Sequence, residues 1–193
     1  MKNITMYYDI KKSESRLAFQ HQIARLADET IEKKESILLV CIGSDRATGD
    51  SLGPLVGYKL KKAGIPSIDI LGTLEHPVHA GNLSQIAEII QRDFPHSFVV
   101  AVDASLGKKS HIGRVTFQRT SIKPGIGVGK ILPAIGDVSI TGIVDVSSNS
   151  SGQKLQSTRL HTVMDMADFI CDGFIYGFAE SGISCSVPSR LSV

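Results

Sequence analysis

Two uninterrupted apolar segments constrain the fold of this chain more than any other feature. Residues 36–42 and 97–102 contain almost no polar side chains. Runs of this length without polar alternation are typical of strands that are covered on both faces, as in the parallel sheets of α/β proteins. A polar turn follows the first run, and residues 51–62 then carry apolar side chains at helical spacing. This order predicts an α/β three-layer sandwich around a mostly parallel, twisted sheet.

The remaining periodicities complete the predicted secondary structure. Residues 113–118 alternate polar and apolar side chains, as expected for an edge strand with one solvent-exposed face. Asn82 is expected to cap the third helix. The chain is expected to form one domain, 1–193, with a helical extension at 1–35 and a flexible tail at 181–193. The predicted helices are 13–34, 51–63, 83–92 and 153–180, and the predicted strands are 36–42, 67–71, 97–102, 113–118 and 139–144.

The composition excludes several classes of function. The 193 residues are 42% hydrophobic, enough for a full core, and the net charge is only +2 with both signs mixed along the chain. Neither a nucleic acid nor a membrane surface is therefore an expected partner. No apolar run approaches the ~20 residues that span a bilayer, and the N-terminus lacks the apolar centre of a signal peptide, so a cytoplasmic location is expected. Cys41 and Cys171 are expected in the core, and Cys185 falls in the tail.

Two aspartates follow apolar runs and are the candidate catalytic pair. Asp50 lies between the first strand and the helix after it, and Asp103 directly follows the run at 97–102. If these strands are neighbours, their carboxyl groups converge over one crevice, where ligands bind in open α/β sheets. Two adjacent carboxyls share a proton, so one can take a proton from water while the other donates to a carbonyl oxygen. The alternatives are that Asp50 only caps the helix and that the two have separate loop-stabilising roles.

Three weaker candidates are also present. Glu75, His76 and His79 suggest a metal loop, but Pro77 prevents an i, i+4 pair on a helix, and a loop at the rim of a site is the alternative. The glycine-rich segment 124–130 lacks the spacing of known phosphate loops and favours tight turns beside a site. A further pair, Ser105 and His111, lacks the G-x-S-x-G elbow of a hydrolase.

Several segments resemble motifs of the germination protease family of spore-forming bacteria, in the family's order along residues 37–146. The most specific match combines Gly113–Gln118 with the segment 122–129. The chain looks closest to the sporulation-associated YyaC group of short relatives, and hydrogenase maturation proteases have a similar fold and similar first motifs. The other matches are Gly43–Pro54 for the first motif, Ala101–Ala104 for the second, and, more loosely, Pro133–Gly136 with Thr141–Asp145 for a fourth.

The resemblance implies an atypical aspartic endopeptidase in which Asp50 and Asp103 activate water without a covalent intermediate. It further implies a protein or peptide substrate, such as small acid-soluble spore proteins, self-association, and a location in the forespore or mother cell. Residues beside the aspartates and in the glycine-rich segment are expected to bind the substrate: Gly49, Ser51, Ala104, Pro124, Gly125 and Gly127.

No metal or other cofactor is expected. The maturation proteases hold nickel with a His near their fourth motif, and residues 136–142 contain none. The alternatives to a peptidase of the germination protease type are a non-catalytic binding or assembly protein that retains the fold, a metal-dependent maturation protease, and a nucleotide-binding module.

Overall fold

The computed structural model describes residues 4–33, 35–65, 68–124, 132–147, 155 and 158–183. Six strands and four α-helices make up this part of the chain. The strands are β1 Met6–Asp9, β2 Ser36–Cys41, β3 Ile68–Leu71, β4 Ser97–Gly107, β5 Arg114–Gln118 and β6 Val138–Val146. The helices are α1 Ser13–Lys33, α2 Leu52–Ala63, α3 Leu83–Asp93 and α4 Leu160–Glu180. None of the described helices is long and apolar enough to cross a membrane.

The six strands form one sheet with the order β1-β5-β6-β4-β2-β3. Strands β3, β2, β4 and β6 run parallel to one another, and β5 is antiparallel to both of its neighbours. Helices α1, α2 and α4 pack into one core on the first face of the sheet. Helix α3 packs into a second, smaller core on the other face. The predicted three-layer sandwich with a mostly parallel sheet is therefore confirmed.

Strand β2 shows why the apolar runs lack alternation. Leu39 and Cys41 point into the larger core, whereas Leu38 and Val40 point into the smaller one. All four are fully buried. Because successive side chains of a strand point to opposite faces, a strand covered on both sides needs apolar residues at every position.

Three predictions about individual elements were wrong. Strand β5 is not an edge strand, because β1, which was not predicted, pairs with it and forms the edge. Strand β4 does not stop before Asp103 but continues to Gly107, because β6 pairs with it along that length. Helix α4 begins at Leu160 rather than near 153, since Arg159 has an extended backbone (φ −72°, ψ 127°). Residues 184–193, including Cys185, and most of the glycine-rich segment lie outside the described residues.

The connections make the carboxyl ends of β2 and β4 a topological switch point. Helix α2 leads from β2 to β3 on the first face, and α3 then leads back across β2 to β4 on the second face. The chain therefore leaves β2 in one direction and returns on its other side. Such a topological switch point opens a crevice at the carboxyl ends of the two strands, which is where open α/β sheets bind ligands.

Candidate active site

The turn after β2 is folded tightly enough to bring Asp50 back over the end of the strand. Gly43 has φ +138°, and a Cβ there would overlap the carbonyl oxygen of Asp50. A Cβ at Gly53 would overlap the backbone of Ile42. The backbone N–H of Ser44 donates to the Asp50 carbonyl oxygen at 3.0 Å. Two glycines thus permit a backbone approach that other residues would prevent.

Asp50 lies in a single 3-10 turn, Gly49–Ser51, that precedes α2. The N-cap position of α2 is Ser51, whose side chain makes no capping hydrogen bond and donates instead to the Thr48 carbonyl at 2.7 Å. The Asp50 side chain is half-buried. The interpretation of Asp50 as a simple helix cap is therefore not supported by the hydrogen bonds around α2.

Asp103 lies in β4 at the point where β2 ends. The last pair between β2 and β4 is Cys41 with Val102, and Asp103 is paired only on its other side, with Thr141 of β6. By strand alternation Asp103 shares the face of Ala101, the face that α3 covers. The backbone N–H of Ala104 donates to the Asp103 carboxylate at 2.7 Å.

The two aspartates belong to one site, because β4 contacts the 3-10 turn that carries Asp50. Burial raises the pKa of Asp103 well above its usual range, and the neighbouring Asp50 raises that pKa further, while the Ala104 amide lowers it. Burial also raises the pKa of Asp50, and the Ser44 amide and His79 oppose that rise. At neutral pH such a pair favours one proton shared between two carboxyls.

The loop from β3 to α3, residues 72–82, forms one rim of this site. Of the residues considered for a metal loop, Glu75 and His76 are exposed, whereas His79 is half-buried and acts on Asp50. Within the described ranges, no group of three or more His, Cys, Asp or Glu side chains could hold a metal ion. The sequence predicted His79 only as a residue of a metal loop or of a loop at the rim of a site. Its position near Asp50 follows from the sheet order.

Three of the predicted substrate-binding residues adjoin the aspartates in sequence. Gly49 and Ser51 are buried in the turn that carries Asp50, and Ala104, after Asp103, is half-buried. Pro124 is buried. Gly125 and Gly127 fall outside the part of the chain that the structure describes.

The weaker hydrolase pair and the predicted cap of α3 have other partners. Ser105 Oγ donates to Thr141 Oγ1 at 3.2 Å, and the His111 ring packs against Tyr7 with 4.9 Å between ring centroids. Asn82 occupies the N-cap position of α3 as predicted, but its side chain makes no capping hydrogen bond. Its carboxamide instead accepts from the His79 N–H at 2.8 Å and donates to the Pro77 carbonyl at 3.0 Å.

Fold and site together define an α/β three-layer protein with two coupled carboxyl groups at its topological switch point. Residues 10–173 match the family described as "Protein of unknown function (DUF1256)", and the chain belongs to that family. The uncharacterized protein YyaC of Bacillus subtilis (strain 168) is 44% identical over 154 residues, which cover 79% of this chain and 75% of that protein. The expected relation to the YyaC group is confirmed.

Two solved structures are similar in arrangement. One is the [NiFe] hydrogenase maturation protease HycI from Thermococcus kodakarensis KOD1, with 20% identity, a TM-score of 0.45, and coverage of 72% of this chain and 92% of that one. The other is the hydrogenase maturating endopeptidase HybD from E. coli, with 16% identity, a TM-score of 0.49, and coverage of 81% and 99%.

Proposed function

We propose that this protein is an aspartic-type endopeptidase that hydrolyses peptide bonds with water activated by Asp50 and Asp103. The observation that carries the proposal is that Asp50 and Asp103 lie at the switch point between β2 and β4, where β4 contacts the turn of Asp50. The resemblance of the surrounding segments to germination protease motifs supports it.

The environments of the two aspartates assign their roles. Asp103 has the more strongly raised pKa, because it is the more enclosed and faces the charge of Asp50, so it is the protonated partner. Burial raises the pKa of Asp50 less, because the Ser44 amide and His79 oppose the rise, so Asp50 is the ionised partner. The pair therefore supplies one base and one acid at the same pH.

Hydrolysis then follows in two proton-balanced steps. Asp50 takes a proton from water as the water oxygen bonds to the scissile carbonyl carbon, and Asp103 gives its proton to the carbonyl oxygen. The tetrahedral diol collapses when the proton on Asp50 passes to the leaving nitrogen and Asp103 regains a proton from the diol. No bond forms between enzyme and substrate.

The proposed substrates are small acid-soluble spore proteins, in the cytoplasm of the forespore or mother cell, with the enzyme acting as a homo-oligomer. We expect the purified protein to cleave these substrates. Asp50→Asn and Asp103→Asn should each lower kcat by about 10²–10⁴-fold, the usual contribution of a general acid or base. Asp69→Asn, at an exposed position of β3, is the matched control and should keep full activity.

The test separates hydrolysis from binding. Cleavage at equal rates by the wild type and Asp103→Asn would overturn the role of the pair. Substrate binding without cleavage, with Asp103→Asn binding equally well, would instead favour a binding or assembly protein that retains the fold.

A further inference from the structure

The position of His79 is fixed by the end of β2 rather than by its own loop alone. Val78 pairs with Ile42 in a parallel bridge, and its carbonyl accepts the Gly43 N–H at 2.7 Å. Gly43 in turn packs against the backbone of Asp50. One residue past this bridge, His79 is therefore held beside the same turn that positions Asp50.

The loop also lies on the side of the sheet where Asp103 points. Residues 72–82 connect β3 to α3, and α3 covers the face to which Asp103 belongs by strand alternation. Val78 of the loop belongs to the second core, so the loop lies on that side of the sheet.

The imidazole ring has a defined orientation. Its Nδ1 accepts the Gly81 N–H at 3.1 Å, and the His79 backbone N–H donates to Asn82 at 2.8 Å. A ring whose Nδ1 accepts a hydrogen bond keeps the proton of its neutral form on Nε2. His76, three residues earlier, is exposed and its backbone N–H donates to the side chain of Thr73.

Among the described residues, the groups that interact electrostatically with Asp50 are Asp103 of β4, the Ser44 amide and His79. The other charged residues of its turn, Asp45 and Arg46, are exposed to solvent. Of these described groups, His79 is a basic side chain that acts on Asp50 from a neighbouring element.

On the basis of the proposed function, we propose that His79 is a positioning residue that holds Asp50 in its ionised form and so makes Asp50 the base and Asp103 the acid. A protonated ring at this position adds a positive charge, which favours a carboxylate over a carboxylic acid. The role is electrostatic and needs no contact between His79 and the substrate.

The first experiment compares the pH dependence of kcat/KM for the wild type, His79→Gln and His76→Gln on a spore-protein substrate. His79→Gln should shift the acidic limb of the profile to higher pH and lower kcat/KM on that limb by roughly three- to tenfold. His76→Gln should leave the profile unchanged. An unshifted acidic limb in His79→Gln, at unchanged thermal stability, would overturn the proposal.

The second experiment does not depend on turnover. Carbon-13 NMR titration of the aspartate carboxyls compares Asp103→Asn with the double variant His79→Gln/Asp103→Asn. The Asp50 signal is assigned by its absence from the spectrum of Asp50→Asn. This signal should titrate at higher pH in the double variant than in Asp103→Asn. The same titration midpoint in both would refute the role of His79. A wild type that cleaves nothing would refute only the peptidase proposal, because this titration still decides the electrostatic one.

Discussion

Replacing Asp103 by Asn is predicted to make the protein more stable at neutral pH while it strongly lowers kcat. In the folded protein, burial and the Asp50 charge raise the pKa of Asp103 well above its usual range. In the unfolded chain the same carboxyl ionises near its ordinary pKa of about 3.9. Above that pH, ionisation of this carboxyl stabilises the unfolded state. The folded state is not stabilised in the same way until the pH exceeds the higher pKa of the folded protein.

The sign and size of the effect follow from linkage. A carboxyl whose pKa is raised in the folded state does not lower the free energy of unfolding at pH values below its unfolded pKa. The loss of stability grows as the pH rises from the unfolded pKa towards the folded pKa. Each unit of pKa difference lowers the free energy of unfolding by about 1.4 kcal/mol. Asn has the same shape, cannot ionise, and keeps an oxygen for the Ala104 N–H. We therefore expect Asp103→Asn to have a higher free energy of unfolding than the wild type at pH 7.

Urea denaturation at pH 7 and near pH 4 measures this prediction. The gain of Asp103→Asn over the wild type should be present at pH 7 and should shrink at the lower pH. Asp69→Asn, which replaces an exposed carboxyl, should show no such pH-dependent gain. The reasoning is refuted if Asp103→Asn is less stable than the wild type at pH 7, or if its gain is equal at both pH values.

Three further predictions concern the supports of the site and the core. Gly53→Ala should lower the free energy of unfolding by about 1–3 kcal/mol, because the new Cβ overlaps the Ile42 backbone; chemical denaturation measures the loss, and a neutral effect contradicts it. Asn82→Ala removes two loop hydrogen bonds and should cost about 1–3 kcal/mol, with faster amide exchange confined to residues 77–82. Burial raises the pKa of the Cys41 and Cys171 thiols, so in a variant lacking the third cysteine an aromatic disulfide reagent should label neither until the protein unfolds.

The elements that could be predicted from the sequence are those whose signal is local. The apolar run of β2 reports burial on both faces, and the end of α2 is marked by Gly64, which is left-handed (φ +62°) as expected past a helix. Strand β1 gives no such signal, because only Tyr8 of its four residues is buried. Its assignment as a strand comes from pairing with a segment more than a hundred residues away.

The candidate site combines both kinds of information. That Asp50 and Asp103 each follow an apolar run is visible in the sequence, but their meeting depends on β4 lying next to β2 rather than next to β3. Had α3 returned the chain to the far side of β3, Asp103 would lie two strands from Asp50 and would lose the contribution of Asp50 to its raised pKa. His79 also depends on tertiary structure, because the bridge from Val78 to Ile42 and the hydrogen bond from Gly43 to Val78 hold its loop at the turn after β2. The chemistry proposed here is therefore a property of the strand order, and the local sequence supplies only the groups that the strand order brings together.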